Sequence, residues 1–278
     1  MAHELLRLTQ RLCNRPQLIS PITLGSVIQY LEARNTVGKE MRVTQAKVAP
    51  RQPVLDKESG VGLVQIEGAL TNIQYTPECG DESCSYYSLV EDISMLMDKG
   101  IKTLVLDIDS GGGEAYGCFE AANEVRQMAN DGNVKIIAYV DGLAASAAYA
   151  WAAIADEIIV NPMSEVGSIG VVVQLMNTLK AERKAGFERT FVFAGDSKIP
   201  FDTDGNFTES FIADLQAGVD FFYQEFIEHV ALHRGMSDQA VKDTQAKVFL
   251  PEQALKLGLA DKIMTKQDFL EYVFSNSL

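Results

Sequence analysis

Ser146 opens a run of small residues, AlaAlaSerAlaAlaTyrAlaTrpAlaAla, that follows a strand-like stretch and an Asp141–Gly142 pair. A hydroxyl at the head of a helix lies beside the helix's positive end, which favours developing negative charge. The N–H of Ala147 would face an oxyanion formed there. On spacing alone, the same pattern also describes a small residue packed inside a helix. A serine nucleophile needs a base, and without histidine the usual substitute is an uncharged lysine. Burial must lower the lysine pKa by several units for that role. Lys198, in PheAlaGlyAspSerLysIlePro, follows a strand-like stretch and precedes an apolar pair. Asp196 and Asp202 would oppose the shift and must point away. Taken alone, Lys198 reads as a surface lysine.

The glycine-rich stretch AspSerGlyGlyGlyGluAlaTyrGly spans Asp109 to Gly117, between an expected strand and an expected helix. A dinucleotide loop would need glycine where Tyr116 stands. A P-loop would continue after Gly117 with Lys and Ser or Thr, not with Cys118 and Phe119. What remains is a set of N–H groups on residues without side chains, free to approach another group closely. That suits an oxyanion hole built from Gly112 or Gly113. His229 and His233 stand four apart on one expected helix, but the intervening Val, Ala and Leu lack the glutamate of a metalloprotease helix. They read as a solvated helix face. With three histidines in the chain, a Ser-His-Asp triad is not the expected chemistry. Cys79 and Cys84 share one polar loop, Cys13 and Cys118 are isolated, and all four read as ordinary thiols. No metal and no cofactor are implied.

The elements that position these residues follow from hydrophobic period and punctuation. The chain has 278 residues, 47% hydrophobic and 22% charged, with a formal charge of -14. That composition fits a globular protein of one or two domains. Nucleic acid needs clustered cations and is a poor partner for such a surface. The most apolar stretch, Leu143 to Ala155, is too short for a spanning helix, and the N-terminus lacks the features of a signal peptide. The expectation is a soluble, cytoplasmic chain without membrane contact. Residues 1–48 read as a helical N-terminal extension, with Pro21 opening its second helix, and residues 49–60 as a connector. A domain then runs over residues 61–265, with a helical tail at 266–278. Within the domain, Thr103–Ile108 reads as a strand, Gly111–Gly113 as a turn and Glu114–Met128 as a helix. Lys135–Val140 reads as a strand, Asp141–Gly142 as a turn and Ala144–Ala155 as a helix. Residues 191–207 read as a short strand and a polar loop, and Glu209–His233 as a long amphipathic helix. Strand and helix in alternation give an α/β fold with crossover connections.

Together these residues resemble the signal peptide peptidase A-like serine peptidases, over roughly Val61 to Ile263. The resemblance implies a ClpP/crotonase-type α/β fold of repeated β-β-α units, with a helical N-terminal extension and C-terminal helices. The family's Ser-Pro-Gly-Gly turn is matched by Ser110 to Gly113, with Gly111 replacing proline. Its nucleophile helix is matched by AlaAlaSerAlaAlaTyr, and its most recognisable stretch by Ala155 to Val172. Its Ala/Ser-Gly-x-x-Lys context is matched by Ala194 to Lys198. The resemblance implies a Ser/Lys dyad of Ser146 and Lys198. It implies oxyanion donors among Gly112, Gly113 and Ala147, and Ser168 as the residue orienting the lysine. It also implies ring-shaped homo-oligomers in which catalytic groups come from adjacent subunits, so that an isolated monomer is inactive. Within the family, the chain is most similar to the head maturation proteases of tailed bacteriophages. That implies scaffold and capsid proteins, and possibly the protease itself, as substrates inside the procapsid in the host cytoplasm. Two other readings stand beside it: a soluble bacterial peptidase degrading signal-peptide remnants, and a ring-forming assembly module without turnover. The N-terminal extension is expected to be removed or rearranged on maturation.

Overall fold

The computed structural model describes residues 15–21, 23–25, 52–72 and 84–275. Most of the expected N-terminal extension, part of the connector, Cys13, Cys79 and His3 lie outside the described residues. The elements begin with strands β1 (Gln17–Ile19), β2 (Val54–Asp56), β3 (Val61–Glu67), β4 (Leu70–Thr71) and β5 (Cys84–Ser85), then helix α1 (Tyr86–Asp98). Next come β6 (Thr103–Ser110), β7 (Gly112–Glu114), α2 (Cys118–Gly132), β8 (Lys135–Ala145) and α3 (Ala147–Ala153). They are followed by β9 (Glu157–Val160), β10 (Glu165–Gly167), α4 (Leu179–Lys184) and the long α5 (Glu209–Arg234). The chain continues through α6 (Asp238–Lys242), β11 (Val248–Phe249), α7 (Pro251–Leu257), β12 (Lys262–Ile263) and α8 (Lys266–Ser275).

The main sheet runs β11-β10-β8-β6-β3-β2, with β9 on β8 and β12 on β9. Its interior pairs, β3 with β6 and β6 with β8, are parallel. A second sheet, β1-β7-β4-β5, stands beside it. The chain therefore repeats one step: a strand in the main sheet, a short strand in the second, then a helix (β3, β4, α1; β6, β7, α2). This is the β-β-α plan of the expected ClpP/crotonase-type α/β fold. Parallel strands covered on both faces read as nearly continuous apolar runs. On β6, Leu104, Leu106 and Ile108 join the larger core, while Val105 turns to a smaller one with Ile137, Tyr139 and Phe269 of α8.

Five local expectations are corrected. The Gly111–Gly113 turn is instead largely a strand, β7, because glycine lets it lie against β4: a Cβ on Gly113 would collide with the Leu70 carbonyl oxygen. The following helix accordingly starts at Cys118, not Glu114. The Asp141–Gly142 turn does not form either. Asp109 Oδ1 accepts the Leu143 N–H at 3.0 Å, and β8 continues to Ala145. The short strand expected within residues 191–207 is absent: Phe191, Val192 and Phe193 are irregular and exposed, without a ladder partner among the described residues. Finally, where a helical N-terminal extension is expected, Gln17–Ile19 is a strand, with a helical turn beginning at Pro21.

Candidate active site

Ser146 is the hinge between β8 and α3. Its backbone sits at φ 58 and ψ -121, a strained conformation for a residue with a side chain. Such a conformation costs on the order of 1–3 kcal/mol and persists only where its surroundings enforce it. Here they do. The Ser146 N–H donates to the Gly167 carbonyl at 2.8 Å, and its own carbonyl accepts from Tyr149 and Ala150 at 2.9 and 3.0 Å. The sharp strand-to-helix turn sets the hydroxyl at the head of the helix, the geometry of a nucleophile elbow. Oγ donates to the Gly170 carbonyl at 3.4 Å, and the side chain is fully buried.

Helix α3 is short, and all seven of its residues are buried. Alanine dominates because α2, α5, β6 and β7 all press on it. Tyr149 donates its hydroxyl to the Leu259 carbonyl at 2.9 Å, and Trp151 stacks on Tyr86 at 6.2 Å between ring centroids. Cys118 lies beneath the first turn, its sulfur 3.8 Å from the Ala147 carbonyl. Burial pushes its thiol up to about 12, so it stays protonated.

Ala147 is the first residue of α3, and a first-turn N–H has no acceptor in its own helix. Gly112 stands directly against it: the position a Cβ would take on Gly112 lies 3.0 Å from the Ala147 nitrogen and 2.8 Å from the Ala145 oxygen. Its φ of 94 is a further reason for glycine there. The Gly112 N–H donates to Ser110 Oγ at 3.1 Å, and that hydroxyl donates to the Gly68 carbonyl at 2.6 Å. Gly113 packs on β4, on the other side of its strand. Ser168, buried and at φ 54, donates its N–H to the Lys247 carbonyl at 2.8 Å. It sits between Gly167 and Gly170, whose carbonyls hold the Ser146 N–H and hydroxyl. The fold thus gathers Ser146, Ala147, Gly112 and Ser168. Lys198 ends an exposed 3-10 turn (Asp196–Lys198), and among the described residues no hydrogen bond or ion pair links it to Ser146 or Ser168.

The histidine pair is not a solvated face. His229 is buried against α3, its Nε2 2.9 Å from the Ala150 carbonyl and its Nδ1 without a partner. Burial lowers its pKa to about 4. His233 Nε2 contacts Asn123 Oδ1 at 2.9 Å. Among the described residues no group of three or more His, Cys, Asp or Glu is placed to hold a metal ion, and no helix is long and apolar enough to cross a membrane. A cavity of about 770 Å³ between α1 and α2, lined among others by Tyr86, Tyr87, Glu91 and Glu124, holds none of the candidate residues.

Local sequence signals do not reveal the strand that lies against Gly112. Strand β1 pairs antiparallel with β7, Leu18 opposite Gly113 and Ile19 opposite Gly112. On its other edge Gln17 exchanges two backbone hydrogen bonds with Val172, at 2.9 and 3.0 Å. The only signal in the sequence is a short aliphatic pair between Pro16 and Pro21.

A model of peptidase family S49 matches residues 128–274. A putative protease of Methanocaldococcus jannaschii, MJ0651, is 32% identical over 70% of this chain and 62% of its own length. Head-tail preconnector protein GP5 of Enterobacteria phage P21 is 29% identical, over 76% of this chain and 42% of its own length. Capsid assembly protease C of Escherichia phage lambda is 25% identical, over 76% and 48% respectively. The chain spans about half the length of these relatives.

Proposed function

This chain belongs to peptidase family S49, and from that premise we propose that it is a serine endopeptidase using Ser146 and Lys198. The observation that carries the reading is the strained turn at Ser146, which sets its hydroxyl at the head of α3, where the Gly112 backbone stands against the Ala147 nitrogen. Ser146 Oγ attacks the peptide carbonyl, and the Lys198 amine takes its proton. The tetrahedral oxyanion accepts from the Ala147 N–H and from the Gly112 N–H, which leaves Ser110 Oγ to do so. Lys198 then passes the proton to the departing amine, and water hydrolyses the acyl-enzyme with Lys198 again as base. Ser168 holds the lysine amine toward Ser146.

Lys198 is exposed and unconnected to Ser146 within one chain, so the base comes from a neighbouring copy in a ring. Phe191, Val192 and Phe193, all exposed just before it, supply an apolar surface for that contact. Mixing inactive Ser146→Ala and Lys198→Ala chains tests this. If each site takes its serine from one copy and its lysine from the next, a 1:1 mixture of exchanged subunits regains about a quarter of wild-type activity. No recovery refutes the shared site, and cleavage persisting in either single variant refutes the dyad.

The phage relatives support scaffold and capsid proteins as substrates, cut inside the procapsid. Fragments formed in wild-type but not Ser146→Ala particles are the expected result; identical fragment patterns would count against this role. The archaeal putative protease, at least as similar, favours a second reading as a cellular peptidase, and the family resemblance suggests signal-peptide remnants as its substrate. Cleavage of detergent-solubilised signal peptides, with capsid proteins left intact, would establish it. An active-site serine probe that labels Ser146 dismisses a purely structural assembly module.

A further inference from the structure

We propose that the segment around Gln17–Ser20 is a built-in occupant of the peptide groove, seated where a substrate strand would lie and holding the site closed in cis. The inference rests on the peptidase reading above. Strand β1 is central, not peripheral: β7 pairs with one edge and Val172 with the other. The Ser20 N–H continues the β7 ladder by donating to the Gly111 carbonyl at 2.8 Å. Backbone pairing of this kind accepts any extended polypeptide, and side-chain pockets select among them. Two such pockets are filled here, since Leu18 is fully buried and Ile19 nearly so.

The seat coincides with the candidate oxyanion site. A Cβ on Gly112 would collide with the Leu18 carbonyl oxygen and lie 3.0 Å from the Ala147 nitrogen, so one carbonyl of the segment stands beside the helix-head donor. The segment lies outside the β-β-α repeats, and its exit is shaped too. Ser20 Oγ accepts the Thr23 N–H at 3.2 Å, and the Ser20 carbonyl accepts from Leu24 at 2.9 Å, turning the chain out of the groove. Thr23 then rests over Gly111, where any Cβ would collide with its Oγ1. Glycine at 111 leaves room for the segment's exit.

A segment tethered in the same chain competes with substrate at an effective concentration in the millimolar range. It therefore raises the apparent KM and leaves kcat unchanged. The test uses the full chain, fluorescein-labelled casein as substrate and a synthetic peptide of residues 14–24. With Leu18→Asp, which places a charge in a fully buried position, KM falls about tenfold or more at constant kcat. The peptide then inhibits the variant but not the wild type. A second arm needs no turnover. In the Ser146→Ala background, adding Leu18→Asp or Gly111→Ala makes the fluorescent peptide bind about tenfold tighter by anisotropy. Amide exchange at Gln17 and Val172, slow in Ser146→Ala, becomes fast. Equal peptide affinity with and without those changes, or fast exchange at Gln17 and Val172 in Ser146→Ala, overturns the proposal. If casein is never cleaved yet the binding differences hold, the peptidase reading falls and the self-occupied groove stands.

Discussion

Acid should loosen the helix that carries Ser146, and His229 gives the size of the effect. His229 packs against the ring of Phe119 at 5.2 Å between centroids, and its Nε2 meets the Ala150 carbonyl one turn after Ser146. Its pKa falls from 6.5 to about 4; burial is the main cause, the bond to Ala150 opposes it, and nearby His233 lowers it further. Above pH 6.5 the imidazole is neutral whether the chain is folded or not, and titration costs nothing. As pH falls below 6.5, the unfolded chain binds a proton that the buried ring refuses, so stability declines until about pH 4. Over the whole window the loss is about 3 kcal/mol, at 1.36 kcal/mol per pKa unit, and by pH 5 about 2 kcal/mol of it has occurred. Urea unfolding of the wild type and His229→Leu at pH 7.5 and pH 5 measures it. The variant starts less stable, by about 1 kcal/mol for the lost hydrogen bond. Its further loss on going to pH 5 is smaller than the wild type's by about 2 kcal/mol. His233, also lowered by burial and by Arg126, titrates in both proteins, and only its coupling to His229 enters the difference. An equal acid-dependent loss in the two would refute the reasoning.

Two further substitutions probe the supports of the site. Gly113→Ala drives a methyl group into the Leu70 backbone and is expected to cost about 2–3 kcal/mol or more, read as a lowered Tm, because neither short strand can retreat. A Tm within a degree of wild type would show that β4 and β7 part freely. Tyr149→Phe removes the buried hydrogen bond to the Leu259 carbonyl. The expected destabilisation is about 1–3 kcal/mol, from an acceptor left without its donor. Unchanged chemical stability would mean that Leu259 finds another partner.

Much of the architecture is legible in the sequence because its signals are local. The apolar run of β6 and the small residues of α3 are read from composition over a few positions. Their ends are not. Helix α2 starts at Cys118 because β7 first crosses to a second sheet, a pairing with Leu70 that lies far away in sequence. Strand β8 runs through Asp141–Gly142 because Asp109, a neighbour only in space, holds Leu143. The types of Ser146, Gly112 and Ala147 mark them as candidates, the family resemblance adds Ser168, and the fold brings the four together. Neither the strained φ of Ser146 nor the strand paired with Gly112 is written in local periodicity. His229 reads as solvated in the sequence because a four-residue spacing says nothing about which face of α5 is covered. Lys198 shows the opposite limit: its flanking residues match a motif, but the fold leaves it on an exposed turn, with no hydrogen bond or ion pair to Ser146 among the described residues.

The long strand β8 has two neighbours along one edge, β9 beside Ile137–Val140 and β10 beside Leu143–Ala145. The lower half is braced by the layer that ends in α8, while the upper half is braced by β10 and, through it, by Val248–Phe249 of β11. The stability of the sheet and the footing of Ser146 are therefore set from different places in one molecule. Changes in the α8 layer shift how well the chain resists unfolding without displacing the serine. The serine's own footing comes from the two-residue strand β11, which pairs with β10 and so steadies the Gly167 carbonyl that accepts the Ser146 N–H; loosening Val248–Phe249 would unsettle the serine while the β9 half of β8 stays braced.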